Sequence, residues 1–447
     1  MNNKTYLFIG IIVVLVAFLI DGNIFWLSAI GLGLTGSLLY LFIDRLGKSF
    51  PMLELILVLA SLQWIVGPFQ DYRLDENHFK YFMYVDEPTY MALAVPAMLV
   101  FTFGVLYWVR RISYTHFLDN LEKHLSKLNP QISYLLIVVG FVAGYLQNRV
   151  PGGLAFIFFL LSNLRYVGAA YVLYGSKGKS RWYIFWGVLA LTFVSSVQAG
   201  LFHEFFLWSV FLFAIAALRM KPSIFTKVLI AGLGIYTAFI VQSVKSDYRA
   251  IIWKGKFTGS QSELFFDLVL GKIGGETREK EELNEVNVRF NQGWIISAIM
   301  KNMPAREPFA EGETVREAVF ASILPRFLNP DKKQAGGREN FERFTGLKLE
   351  KNTSMGTSIL GEAYANYGTQ GAYLFMFIWG SFLALYWSKL AKLVNDHPTL
   401  ILWFPILFLQ VVKAETELVV VLNHLVKASI LVFGIFWLSR NFFRISL

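Results

Sequence analysis

The chain has 447 residues, 55% of them hydrophobic and only 16% charged, whereas a soluble domain carries about 25% charged residues. That balance excludes a water-soluble globular domain, and 42 Phe with 12 Trp suit lipid-facing surfaces and interfacial belts. The absence of Cys removes disulfides, thiolate metal sites and any Cys nucleophile, and with the nucleophile an exosortase-type transpeptidase.

About 20 mainly apolar residues cross a bilayer as a helix. Such runs are predicted at 5–20, 24–43, 51–69, 91–109, 134–148, 152–175, 182–200, 204–218, 225–243, 371–388, 398–414 and 418–439. The first has only Lys4 before it and no small-residue cleavage site after it, so it reads as a retained helix. The expected fold is all-α: a polytopic membrane protein of about twelve transmembrane helices, spans one to nine in 1–243 and ten to twelve in 371–447. Segment 111–127 spaces its apolar residues helically among several cations and is expected to lie on the cytoplasmic lipid surface.

The net charge of +10 follows the loops, which argues against a nucleic-acid partner. Alternate loops hold Arg45 and Lys48, then Arg110, Arg111, Lys123 and Lys127, then Lys177, Lys179 and Arg181. Arg219, Lys221, Lys227, Lys389 and Lys392 fall on that same side, with Lys4, Arg440 and Arg444 near the termini. The opposite loops are poor in cations, and loop 70–90 is acidic. Cations favour the cytoplasmic side, so both termini are expected inside and segment 244–370 outside.

Segment 244–370 is expected to form a helical cap. Residues 261–270, 284–303 and 314–324 space apolar residues by three and four, with breaks at Gly274-Gly275, Pro304 and Pro325. Five cations stand out there: Lys245, Arg249, Arg289, Arg326 and Arg338. A guanidinium fork matches phosphate oxygens, so together they suggest an anionic site. Each also fits an ion pair with Asp247, Glu285, Asp331 or Glu339.

Glu362, among Gly356, Gly361, Ala363 and Ala365, is placed as a general base or as an arginine's partner. His203 and Glu204 form a possible proton acceptor at the outer turn between the seventh and eighth spans, or merely an interfacial hydrogen-bonding pair. His78 with Asp75 and Glu76 lacks regular metal-ligand spacing. His424 lies inside the last span, with Lys427 one turn later. Lys413, Glu415 and Glu417 mark the last outer turn, as sugar-hydroxyl ligands or as ordinary loop polarity.

The span pattern with one large, late, arginine-bearing outer loop resembles the Wzy-type polymerases of O-antigen and exopolysaccharide repeat units, which share an architecture with the O-antigen ligases. Residues 80–97, LPRFLNPDKK (324–333) and 353–377 resemble stretches of those polymerases, about an eighth of the chain. The resemblance implies a glycosyltransferase of lipopolysaccharide or exopolysaccharide synthesis at the outer side of the bacterial inner membrane. Donor and acceptor are both glycans on undecaprenyl diphosphate, with no nucleotide sugar, no metal and no cofactor. Membrane lipids, a flippase and a chain-length regulator are the implied partners. Arg249, Arg289 and Arg326 match the family's outer-loop arginines best, and Arg338 less closely.

Two features depart from that pattern. The ligases use a His in the large outer loop, and none lies in 244–370 here. Relatives also place small residues and an Arg where the eighth span begins, where this chain has QAGLFHEFF (198–206). A lipid-linked oligosaccharide flippase is the rival reading, for which Gln63, Asn163, Arg165, Gln242 and His424 are the central polar residues. A non-catalytic part of an export assembly is the other.

Overall fold

A computed structural model describes residues 4–74, 81–109, 117–253, 257–273, 291–323, 337–350 and 353–447. The described residues are helical, with no β-strand among them. The first helices are α1 (Lys4–Ile20), α2 (Trp26–Arg45), α3 (Met52–Asp71), α4 (Glu87–Val109), α5 (Phe117–Leu125) and α6 (Pro130–Leu146). Then come α7 (Gly152–Ser162), α8 (Leu164–Gly175), α9 (Ser180–Ala199), α10 (His203–Met220) and α11 (Ile224–Ile252). Four short helices follow, α12 (Gln261–Ile273), α13 (Gly293–Asn302), α14 (Glu313–Ile323) and α15 (Arg338–Thr345). The chain ends with α16 (Ile359–Asp396), a 3-10 turn Pro398–Trp403, α17 (Phe404–Phe408) and α18 (Leu418–Asn441).

Among the described residues ten helices are long and apolar enough to cross a membrane, and Thr5–Ile20 and Pro398–Phe408 are shorter apolar helices. Loops that the cations assign to one side meet one another. At the cation-rich end, Lys227 donates to the Asp44 carbonyl at 3.2 Å and Arg219 to Glu122 at 3.0 Å. At the other end Arg73 pairs with Glu87 at 3.0 Å and Gln63 donates to Glu415 at 3.1 Å.

Small residues let the helices approach closely. A Cβ on Gly140 of α6 would lie 2.3 Å from the Arg165 nitrogen, and one on Gly380 of α16 would lie 2.6 Å from the Phe101 carbonyl. α11 is the exception. Its residues 232–237 are exposed in succession, so the helix touches the bundle only near its two ends.

Several helices are broken where the sequence reading expects continuity. α3 contains a π-helical turn at Leu62–Val66, and Asn163 separates α7 from α8 within one expected span. α16 holds 38 residues, about 57 Å of helix, which exceeds a hydrocarbon core of about 30 Å. Gly368, at φ 64° and ψ −169°, divides it. Its first arm packs on the cap: Ala310 and Glu311 donate their N–H groups to the Ala365 and Asn366 carbonyls, each at 3.0 Å. Gly368 thus separates a cap-bound arm, 359–367, from the long helix that follows it.

α11 likewise continues past residue 243 to Ile252, so Lys245 and Arg249 are helical. The cap contains the three expected helices, with residues 284–290 outside the description, and one not expected, α15. Its core joins Trp294, Ile296 and Ile299 to Phe341, Phe344 and Leu360. α14 packs along α18 with Ala318 and Ala321 buried, and leaves Val319, Phe320 and Ile323 exposed. α5 confirms the helical spacing read in 111–127 over Phe117–Leu125, with Leu121 and Leu125 buried.

Candidate functional site

Charged side chains from four elements converge at the cap end of the bundle. Glu415, in the turn before α18, accepts from the Gln63 amide at 3.1 Å through Oε2 and stands 3.9 Å from His203 Nε2 through Oε1. His203 and Glu204 open α10. Lys413 acts electrostatically on Glu415, Glu204 and His203, and Lys245 of α11 on His203. The His203 and Glu415 side chains are 53% and 32% exposed, so the pair is open to a ligand.

Below this layer Arg165, only 12% exposed, faces Glu204 at 3.9 Å. Its NH2 donates to the Tyr166 hydroxyl at 3.0 Å, which meets the Thr192 hydroxyl at 3.0 Å. The break at Asn163 permits this: Asn163 Oδ1 accepts from Trp208 Nε1 at 3.1 Å, and Tyr166 stacks on Trp208 at 3.8 Å. The π turn does the same for Gln63. Extra backbone groups are released by such a turn, and Gln292 N–H and the Tyr90 hydroxyl take the Gln63 and Trp64 carbonyls at 3.1 and 2.8 Å. Gln63 Oε1, Gln292 Oε1 and Arg165 Nε are buried without a hydrogen-bond partner among the described residues. A buried polar atom left without a partner calls for a water or a polar ligand.

Arg249 donates Nε to the Gly200 carbonyl at 2.7 Å and lies 4.5 Å from the Trp253 ring. Gly200 is left-handed at φ 65°, closing α9. Arg249 thereby fixes the turn that delivers His203. Arg249, Lys245 and His203 thus come together at one end of the bundle.

Glu362 is elsewhere in its chemistry. It is buried, its Oε1 accepts from the Thr314 hydroxyl at 2.7 Å and its Oε2 from the Leu418 N–H at 2.8 Å. The partners are a hydroxyl and a backbone amide, where an arginine was one expectation. Burial pushes its carboxyl up to about 7, the two hydrogen bonds opposing and Glu417 and Glu317 assisting. It latches the cap helix α14 to the start of α18.

Arg338 sits in α15, donating to Glu342 at 3.1 Å and to the Leu349 carbonyl at 2.8 Å. Arg289, Arg326 and the group Asp75, Glu76 and His78 lie outside the described residues. His424 is buried, with Nε2 2.8 Å from the Ile406 carbonyl, so its ring serves a backbone group.

Sequence reasoning offered Lys413 and Glu415 as outer-turn sugar-hydroxyl ligands but did not join them, or Gln63 and Arg165, to His203. The available signal was an ionisable group inside a span, Arg165, and two carboxylates flanking Thr416 in an otherwise apolar turn. Their convergence depends on turns 352 residues apart in the chain.

No curated protein and no solved structure matches the chain. Residues 78–442 match the family described as Domain of unknown function (DUF8712), and over that majority of its length the chain belongs to it.

Proposed function

We propose that the chain is a twelve-crossing glycosyltransferase of the bacterial inner membrane, polymerising oligosaccharide repeat units carried on undecaprenyl diphosphate. Both termini face the cytoplasm, and Thr5–Ile20 and the segment 398–414 supply two of the crossings. The observation that carries the reading is the convergence of His203, Glu415, Lys245 and Lys413 at the cap end, with Arg249 bound to the adjoining turn at Gly200.

In this reading an acceptor hydroxyl oxygen bonds to the donor's anomeric carbon, and the bond from that carbon to the diphosphate oxygen breaks. The hydroxyl proton passes to His203 Nδ1, while Nε2 faces Glu415, and undecaprenyl diphosphate leaves with the bonding electrons. Lys245, Lys413 and Arg249 meet the charge that develops on the leaving diphosphate. Preorganised charge of this kind is typically worth about 10²–10³ in rate per group. Arg289 and Arg326 remain the family-matched arginines for the same diphosphate.

Purified protein incubated with lipid-diphosphate-linked repeat units tests this, read as a glycan ladder. A ladder is expected, and His203→Gln and Lys413→Ala shorten it. No ladder from well-folded protein defeats the proposal.

One observation favours a second reading. Arg165 and Glu204 pair below the surface beside two broken helices, as in transporters built on discontinuous spans. A flippase moves repeat units across a vesicle wall without lengthening them, and the same ladder with sided vesicles separates the two.

A further inference from the structure

A groove of about 920 Å³ opens at the cation-rich end, between α5, the start of α6 and residues 445–446. It is remote from His203 and Glu415, and nothing in the catalytic proposal uses it. Its size falls in the range of small-molecule sites, about 300–1,000 Å³.

The two sides differ in chemistry. Tyr134, Leu135 and Val138 form an apolar stripe on α6 and are 46, 60 and 56% exposed. Lys127 and Gln131 stand at the mouth, and His124 closes one side with Nε2 3.0 Å from the Ser446 carbonyl. To donate there His124 carries its proton on Nε2, and the donors at the mouth are the Lys127 ammonium and the Gln131 amide. The first turn of α6, capped by the Asn129 side chain at 3.0 Å from Gln131 N, adds a favourable field for an anion. A smaller groove of about 380 Å³ at the same end repeats this mixture, with His397, Arg440 and Asn441 beside Phe433 and Trp437.

We infer that the larger groove holds one anionic phospholipid of the leaflet at the cation-rich end. The headgroup phosphate meets Lys127, and an acyl chain lies along Tyr134, Leu135 and Val138. A zwitterionic lipid offers no net charge to answer Lys127. Free phosphate leaves the apolar stripe uncovered. A lipid fits both halves, and it tethers α5 and the segment after α18 to α6 through one molecule.

The test uses the full chain in nanodiscs of phosphatidylcholine mixed with phosphatidylglycerol, released and weighed by native mass spectrometry. Wild-type protein is expected to retain phosphatidylglycerol. Lys127→Glu lowers the retained fraction about fivefold or more, the effect of one cation at an anionic membrane surface. Leu135→Trp, which fills the groove, lowers it as well. Lys123→Glu removes an exposed cation of α5 outside the groove and leaves retention unchanged. Circular dichroism and size exclusion establish that each variant is folded. Equal retention of both lipids, or an equal loss in the Lys123 and Lys127 variants, overturns the assignment, and so does displacement of the bound species by inorganic phosphate.

Discussion

Gln63 donates its side-chain amide to Glu415 at 3.1 Å, tying a π turn in the third span to the turn that begins the last one. Glu415 in turn faces His203 at 3.9 Å. Three elements distant in the chain therefore share one carboxylate. Glu415→Gln keeps the shape and removes the charge that orients His203. Turnover in the ladder assay is expected to fall about 10²-fold, the low end for a general-base function, with thermal stability little changed. Full activity in that variant removes His203 and Glu415 from the chemistry.

The latch at Glu362 gives a pH dependence. Its folded carboxyl titrates near 7, above the ordinary 4.5, so the native state binds more protons than the unfolded state between those values. Stability from this group is full below about 4.5 and declines as pH rises through 7. The whole window is worth at most about 3 kcal/mol at 1.36 kcal/mol per unit. The melting temperature of wild type in detergent, minus that of Glu362→Gln, should shrink as pH rises from 5 to about 8. A difference that stays flat removes the titrating latch.

Gly293 carries the close contact between cap and bundle. A Cβ there would lie 2.2 Å from Pro68 Cγ and 2.6 Å from the Tyr90 hydroxyl. Neither ring can move far, since the Tyr90 hydroxyl is bound to the Trp64 carbonyl. Gly293→Ala is expected to destabilise by about 1–3 kcal/mol, the usual cost of overpacking. Thermal unfolding measures it, and an unchanged midpoint means that the cap does not rest on α3 and α4 as described.

The orientation has a direct check because the chain contains no Cys. Lys348→Cys in the cap is expected to react with a membrane-impermeant maleimide on intact spheroplasts. Lys177→Cys, at the cation-rich end, should react only after permeabilisation. Both residues are exposed, so accessibility alone does not separate them. The reverse pattern inverts the assigned sides.

The helical character was legible because lipid imposes a simple code: long apolar runs, with cations sorted by side. Runs as short as 204–218 mapped onto α10 at His203–Met220. The breaks were not legible. Leu62–Val66 and Asn163 look continuous to any hydropathy window, because the polar groups that cause or exploit them come from other elements. Trp208 takes Asn163, and Gln292 takes the carbonyl of Gln63. The limits of α11 and α16 were missed for the opposite reason. Both helices run on into polar sequence, where apolar content no longer reports helix but cap contacts still support it.

Of the candidate site, His203 with Lys245 and Arg249 could be placed near one membrane face from charge sorting alone. Glu415 was named with Lys413 and Glu417 in the last outer turn, but its tie to Gln63 across the bundle could not be read. Glu362 drew notice for its small neighbours. Those neighbours do permit close approach, and what approaches is Thr314 and the Leu418 amide.

The length of α11 sets a depth scale. Lys227 is anchored to the Asp44 carbonyl at one surface, and twenty residues further on, at about Asp247, the helix has risen about 30 Å, a full hydrocarbon thickness. In the proposed orientation Lys245 and Arg249 emerge at the headgroup level of the far leaflet, not in open water above it. Side chains at that level meet phosphate oxygens from ordinary lipids all the time. A substrate of the proposed kind would then have to displace a resident lipid, so its apparent affinity should vary with the lipid composition of the host bilayer.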